Sequence, residues 1–197
     1  MASERLGIFG GTFDPPHIGH LVSAVNVRHE LAMDRVLLVV NNVPWQKVGH
    51  RAISPAEDRM AMVEAAVADV DGLEASRVEI DAGGMSYTAD TLSTLLAEDH
   101  ARQLFVILGA DAAAGLHTWE RSNEVRDLAT IVVVERPGAK DATPLPGWRW
   151  ERVEVPRVEV SSTDLRQRVR DGRPLDFLVT REVVATIEAR GLYGPLS

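Results

Sequence analysis

The stretch from Gly7 to Leu21 constrains the fold more than any other, because it reads as a strand, a glycine turn and a helix start in succession. A short apolar strand comes first, and Gly10-Gly11 then lets the backbone turn sharply and approach a ligand that a Cβ atom would exclude. Asp14 is a favourable N-cap, and Pro15 suits the first helical position, where no N–H is needed. We therefore predict a helix over about residues 15–32, directly after the turn.

Two histidines follow the turn, and they are the residues here with the clearest chemistry. His17 and His20 are three positions apart, which places them on one face of the predicted helix. Backbone N–H groups and the positive end of the helix dipole point toward the same place. The combination predicts a phosphate site with imidazoles beside the phosphorus atom. The alternatives are a purely structural role and zinc binding, although no third ligand is evident nearby.

Residues Gly10 to His20 resemble the (T/H)xGH signature of the nucleotidyltransferase superfamily, whose members join a nucleoside triphosphate to a phosphate-bearing acceptor. A second motif, Val160 to Arg166, places hydroxyl groups at a predicted helix start and an arginine one turn later. Alone it would be an ordinary capped helix. Beside the first motif it resembles the ISSTxxR signature that holds the β- and γ-phosphates, with Val160 replacing the isoleucine.

Strand patterns and helix patterns alternate along the chain, which predicts an α/β, doubly wound (Rossmann-like) parallel sheet with helices on both faces. The continuous apolar run at 35–40 is typical of a strand buried on both faces. Further strands are predicted at 78–80, 104–108, 131–134, 153–155 and 158–160. Further helices are predicted to start at the Ser54-Pro55-Ala56-Glu57 capping box, near Ser86 and at Ser161, and to cover 119–128 and about 180–190.

Composition limits the partners. The chain has 197 residues, no cysteine and a net charge of −8, so disulfides and thiolate metal sites are absent and a general nucleic-acid binder is not expected. No apolar run approaches the length of a membrane span, and a cytoplasmic location is expected. A polyphosphate ligand would then need a local basic patch, with Mg²⁺ carried in by ATP as the expected cofactor and no dedicated metal site.

Two further stretches indicate which family of the superfamily the chain resembles. SYTxxTL at 86–92, together with Gly109-Ala110-Asp111 and the later Trp119, resembles the bacterial nicotinate mononucleotide adenylyltransferases. The resemblance covers roughly residues 6–193. It implies ATP and nicotinate mononucleotide as partners and one nucleotidyltransferase domain over 1–197, whose C-terminal helical part, about 161–193, completes the ATP site. The oligomeric state stays open, a homo-oligomer included.

The resemblance also implies the site residues. Catalysis is assigned to His17, His20, Lys47 and Arg166. ATP is assigned to Gly10, Gly11, Thr12, Phe13, His17, His20, Gly109, Asp111, Ser161, Ser162, Thr163 and Arg166. The acceptor is assigned to Thr12, Lys47, Tyr87, Thr88, Asp111 and Trp119, with Trp119 stacking on the ring.

One loop departs from the family pattern. Many relatives carry Pro-Pro-His-Lys after the second strand, whereas this chain has Pro44-Trp45-Gln46-Lys47. Lys47 keeps the cation, but the role of the loop is open, and Trp45 would either cover the triphosphate site or pack against the domain. The alternative functions are a pantetheine-phosphate adenylyltransferase, a small cytidylyltransferase, or an inert nucleotide sensor on the same fold.

Overall fold

A single parallel sheet organises the chain in the computed structural model, which describes residues 3–43, 53–135 and 146–194. Its strands are β1 (Arg5–Gly11), β2 (Arg35–Val40), β3 (Leu73–Ser76), β4 (Gln103–Gly109), β5 (Ala129–Glu135) and β6 (Trp150–Glu154). Their spatial order is β3-β2-β1-β4-β5-β6, and every neighbouring pair is parallel. The predicted doubly wound α/β fold is confirmed.

Helices connect the strands. They are α1 (Ile18–Glu30), α2 (Ala56–Val67), α3 (Val78–Ala82), α4 (Thr88–Glu98), α5 (Ala110–Ala114), α6 (Ser122–Leu128), α7 (Ser162–Arg170) and α8 (Arg181–Ala189). A short 3₁₀ turn, Leu116–Thr118, lies between α5 and α6. None of the helices in the described ranges is long and apolar enough to span a membrane.

The alternation of side chains along the strands produces two apolar layers. On β2, Val36, Leu38 and Val40 pack with α1, α2, α7 and α8 on one face of the sheet. Leu37 and Val39 point to the other face, where α4 and α6 supply the partners. Each such side chain contributes about 1.5–3 kcal/mol when fully buried, so both layers stabilise the sheet. This two-sided burial explains why 35–40 is continuously apolar.

The structure corrects several of the predicted boundaries. Residues 78–80 do not form a strand; they belong to α3, and the edge strand β3 lies just before them, at 73–76. Residues 158–160 lie outside the sheet, whose last strand is β6. The expected helix over 119–128 begins only at Ser122. The Ser54 capping box is not formed, since Pro55 is the N-cap and no side chain caps α2.

The strand order determines where a ligand can bind. β1 lies in the middle of the sheet, and its two neighbours, β2 and β4, are reached by connections that run to opposite faces. In open parallel sheets, the crevice outside the carboxyl ends of the strands at such a reversal is the usual ligand site. The end of β1 is the glycine turn identified in the sequence.

Candidate active site

Helix α1 begins later than predicted, and the reason lies in distant contacts. Its N-cap is His17, not Asp14, so Pro15 is not the first helical residue. The backbone carbonyl of Asp14 accepts a hydrogen bond from Arg166, and that of Pro15 accepts one from the Ser162 hydroxyl. The Asp14–Pro15 peptide bond is cis. The segment is therefore a turn attached to the C-terminal part of the protein.

The two histidines lie together at the start of α1. Their rings are stacked, with centroids 3.7 Å apart, and the His17 backbone N–H donates to Nδ1 of His20 at 3.1 Å. Because Nδ1 accepts this bond, the proton of a neutral His20 ring is on Nε2, which makes Nε2 a donor. The first turn of α1 contains no acidic residue, so the positive end of the helix dipole is uncompensated. The arrangement suits an anion.

Helix α7 brings the second motif against the first. The Arg166 guanidinium is buried; it donates to the Asp14 carbonyl at 2.7 Å and to the Thr163 hydroxyl at 3.1 Å. Ser162 donates to the Pro15 carbonyl at 2.8 Å, and Ser161 caps α7 by accepting from the Asp164 N–H. The two predicted phosphate motifs are thus neighbours, with a helix N-terminus from each.

The side chain of Asp14 forms a hydrogen bond with Tyr193, which is distant in sequence. It is 1% exposed, and its Oδ1 accepts a 2.7 Å hydrogen bond from the Tyr193 hydroxyl. Burial alone would raise the pKa of the Asp14 carboxyl, but hydrogen bonds from Tyr193 and Ser54 outweigh it, and the pKa lies below its ordinary value. Burial and the Asp14 charge raise the pKa of Tyr193. Sequence reasoning missed Tyr193, which lies beyond the last helix and belongs to no motif.

Arg59 was also missed, although it is 1% exposed. Its guanidinium donates to four backbone carbonyls, those of Thr12, Asn41, Asn42 and Ser54, at 2.7 to 3.0 Å. These groups belong to the ends of β1 and β2 and to the approach to α2. Arg59 therefore fixes the backbone on one side of the glycine turn. A signal existed in the sequence, since Arg59 shares its helical stripe with Val63 and Ala66.

A cleft of about 330 Å³ opens at the carboxyl ends of β1 and β4, on the face of the sheet covered by α4. Four predicted acceptor residues line it, namely Thr12, Tyr87, Thr88 and Trp119. Asp111 does not line it; this residue is exposed at the start of α5. Lys47 lies outside the described residues. The cleft also contains Glu79, which sequence reasoning assigned to a strand.

The glycines of the turn have different functions. A Cβ atom on Gly11 would come within 2.8 to 2.9 Å of the Phe13 ring, so packing requires glycine there. Gly10 and Gly109 differ, because an added Cβ would meet nothing within 4 Å at either position and neither residue has a positive φ. Gly10 lines the cleft. Its missing side chain leaves room next to the backbone, as the sequence analysis expected for ligand approach.

The described ranges contain no group of three or more His, Cys, Asp or Glu side chains that could hold a metal ion. The polar groups around the histidines are instead suited to an anion: two helix N-termini, two imidazoles and the Arg166 guanidinium. The cleft next to them combines an indole, a phenol and a sheet floor of Ile8, Val106 and Leu108. The geometry therefore suits an anion at the start of α1 and a planar group in the cleft.

Comparison with known proteins agrees with this geometry. Residues 8–168 match the protein family described as cytidylyltransferase-like. A relative from Saccharopolyspora erythraea is 44% identical over 96% of this chain and 90% of its own. One from Roseiflexus sp. (strain RS-1) is 46% identical over 98% of this chain and 100% of its own. Both are named probable nicotinate-nucleotide adenylyltransferase.

Solved structures show the same fold. The Plasmodium falciparum nicotinic acid mononucleotide adenylyltransferase complexed with NaAD has a TM-score of 0.78 at 15% identity, covering 96% of this chain and 97% of that one. Its complex with APC has a TM-score of 0.77. The class defined by fold and site is thus the cytidylyltransferase-like nucleotidyltransferases. Within it, the chain belongs to the nicotinate-nucleotide adenylyltransferase family, as its sequence motifs predicted.

Proposed function

We propose that the protein transfers the adenylyl group of ATP to nicotinate mononucleotide, giving nicotinate adenine dinucleotide and pyrophosphate, a step of NAD biosynthesis. One observation carries the proposal: the glycine turn at the end of β1 lines a cleft suited to a planar ring, and the same segment leads into the histidines at the start of α1. A dinucleotide product needs that juxtaposition, because its two bases are joined through phosphates. The names of the curated relatives support the same reaction.

The chemistry needs no covalent intermediate. The 5′-phosphate of the acceptor is already an anionic nucleophile, and it attacks the α-phosphorus of ATP while the bond to the β-phosphate oxygen breaks. Catalysis then consists of alignment and stabilisation of charge. His20, through Nε2–H, and His17 would bind the α-phosphate oxygens, on which charge grows in the transition state. The backbone from Gly10 to Phe13 would support them at the end of β1.

The departing pyrophosphate requires cations and donors on the opposite side. Ser161, Ser162 and Thr163 at the start of α7, with Arg166 one turn later, would supply these donors and the positive charge. Lys47 is assigned there by the family resemblance. Magnesium would enter with ATP as part of the substrate, held by phosphate oxygens.

The acceptor ring would lie in the cleft. Trp119 offers a stacking face, and Thr88 is the first residue of α4, whose N-terminal N–H groups favour a carboxylate. This arrangement favours nicotinate over nicotinamide. Asp111, exposed on α5, would act only at the rim toward the sugar and phosphate groups. Location in the cytoplasm and homo-oligomer formation stay predictions.

Pyrophosphate release tests the proposal. The purified protein is incubated with MgATP and, in separate reactions, nicotinate mononucleotide, nicotinamide mononucleotide and 4′-phosphopantetheine, and with CTP in place of ATP. We expect the highest kcat/KM with ATP and nicotinate mononucleotide. Turnover confined to phosphopantetheine or CTP would identify one of the alternative enzymes. ATP binding without turnover on any acceptor would indicate a nucleotide sensor.

A further inference from the structure

Glu79 is the buried titratable residue in the cleft for which the proposed reaction has no use so far. It belongs to α3 and is 8% exposed. Its Oε1 accepts a 2.7 Å hydrogen bond from the Thr91 hydroxyl, and its Oε2 accepts one of 2.8 Å from the Asn41 side-chain amide. These bonds fix the carboxyl group between α4 and the end of β2. The group is therefore held in a defined place on the cleft wall.

The hydrogen bonds orient Glu79 without neutralising it. Both donors are neutral, and no lysine or arginine in the described ranges forms an ion pair with this carboxylate. Burying a charge without an opposite charge is costly, and a hydrogen bond from a neutral donor compensates only part of it. A ligand carrying positive charge would remove that cost when it binds.

The other residues that line the cleft also favour a positively charged ligand. Among the described residues lining it, only Glu79 and Glu120 are charged; Glu120 is exposed, so Glu79 supplies the charge that solvent does not screen. Trp119 and Tyr87 add aromatic rings, whose faces attract cations. An anionic ring system would find no cationic side chain on these walls. The cleft therefore favours a flat group that is itself positively charged.

We propose that Glu79 is a specificity-determining residue that selects acceptors whose ring is a cationic, N-glycosylated pyridinium over nucleotides with a neutral base. The proposal rests on the function proposed above, and it adds a reason for the choice of base. The acceptor ring is then recognised as a zwitterion. The start of α4 takes the ring carboxylate, and Glu79 attracts the ring cation.

If the role of Glu79 were purely structural, its charge would not affect the choice of ring. An isosteric variant without the charge separates the two roles. Glu79→Gln keeps the volume but has no charge: its amide oxygen can accept from Asn41, and its NH2 group would donate to the Thr91 hydroxyl, which retains the Tyr87 carbonyl as an acceptor. The probe pair is nicotinate mononucleotide and its 1,4-dihydro form, which have the same substituents; the dihydro ring lacks both the positive charge and the aromaticity, so the change in their affinity ratio on Glu79→Gln, rather than the ratio itself, reports the charge. Dissociation constants for both are measured by calorimetry with the wild type, Glu79→Gln and the control Glu120→Gln. Glu120 lines the same cleft but is exposed.

We expect the wild type to bind the cationic ring about tenfold or more tightly than the dihydro ring, since opposite charges a few ångströms apart attract appreciably inside a protein. In Glu79→Gln this ratio should fall to about threefold or less, with KM for ATP within about twofold of the wild type. Glu120→Gln should keep the wild-type ratio, because solvent screens an exposed charge.

The possible outcomes separate the role of Glu79 from the proposed reaction. A wild-type ratio near one, or a ratio that Glu79→Gln leaves unchanged, overturns the role of Glu79 while leaving the proposed reaction intact. A wild type that does not turn over nicotinate mononucleotide at all overturns the proposed reaction instead. If thermal melting shows that Glu79→Gln is unfolded, Glu79→Asp replaces it, because the shorter side chain moves the carboxylate away from the cleft by one methylene group. Its ratio should fall at least about threefold, and an unchanged ratio again refutes the proposal.

Discussion

The bond between Tyr193 and Asp14 supports a quantitative prediction about stability and pH. Replacing Tyr193 by Phe keeps the ring and its packing but removes the hydroxyl that donates to Oδ1 of Asp14 at 2.7 Å. A hydrogen bond to a charged group contributes about 1.5–3 kcal/mol, and the carboxylate left behind is 1% exposed, so water cannot readily replace the donor. We expect the free energy of unfolding to fall by about 1.5–3 kcal/mol near pH 7.

The difference between the two proteins should depend on pH in both directions. The pKa of Asp14 is depressed in the folded wild type, so its contribution is present above its ordinary pKa of 3.8 and is lost as the pH falls below that value. The pKa of Tyr193 is raised, so the stability linked to it is present below its ordinary pKa of 10.0 and is lost as the pH rises above it. The deficit of the Phe variant should be largest between these values and shrink beyond either.

Urea unfolding at a series of pH values measures this deficit directly, and the other titrating groups cancel because they are common to both proteins. The chain offers a matched control in its other tyrosine. Among the described residues, the Tyr87 hydroxyl has only the Met85 sulfur as a partner, at 3.7 Å, so Tyr87→Phe should change stability by about 0.5 kcal/mol or less. A deficit for Tyr193→Phe that is constant from acid to alkali would refute the linkage to Asp14.

Three further predictions concern other parts of the site. Arg59→Met should lower the free energy of unfolding by about 3 kcal/mol or more, measured by thermal or urea melting, because four backbone carbonyls lose their donor; a loss under 1 kcal/mol would contradict this. His20→Ala should reduce kcat by about 100-fold or more with an unchanged circular dichroism spectrum, and near-normal turnover would exclude it from the mechanism. Trp119→Ala should raise KM for nicotinate mononucleotide far more than KM for ATP in steady-state assays, whereas equal changes would argue against stacking.

Local pattern predicted the central strands of the sheet, because their apolar runs are visible in the sequence itself. The apolar run of β2 is buried on both faces of the sheet, and a short, continuously apolar run is typical of such a strand. The motif residues of α1 and α7 were recognised because each group is contiguous in sequence. The strand predicted at 78–80 was wrong because the pattern of three residues is the same for a short strand and for one turn of helix.

The remaining errors come from contacts that no local window contains. Asp14 looked like an N-cap, but its carbonyl and its carboxylate are used by Arg166 and Tyr193. The helix start therefore moved to His17. Glu79 gave no signal, because its partners Asn41 and Thr91 belong to two other elements. Arg59 could have been found, since an arginine on the apolar stripe of an amphipathic helix must have buried acceptors.

The turn before His17 also affects when the protein acquires its site during synthesis. Ser162 reaches Pro15 across 147 positions of the chain, and Tyr193 reaches Asp14 across 179. Contacts between such distant residues close long loops of chain, and this closure has an entropic cost. Because synthesis runs toward the carboxyl end, the two histidines leave the ribosome before Ser162 and Tyr193, which complete the turn that orients them. Until the segment through Tyr193 has emerged, the nascent chain carries the histidine pair without the scaffold that aligns it.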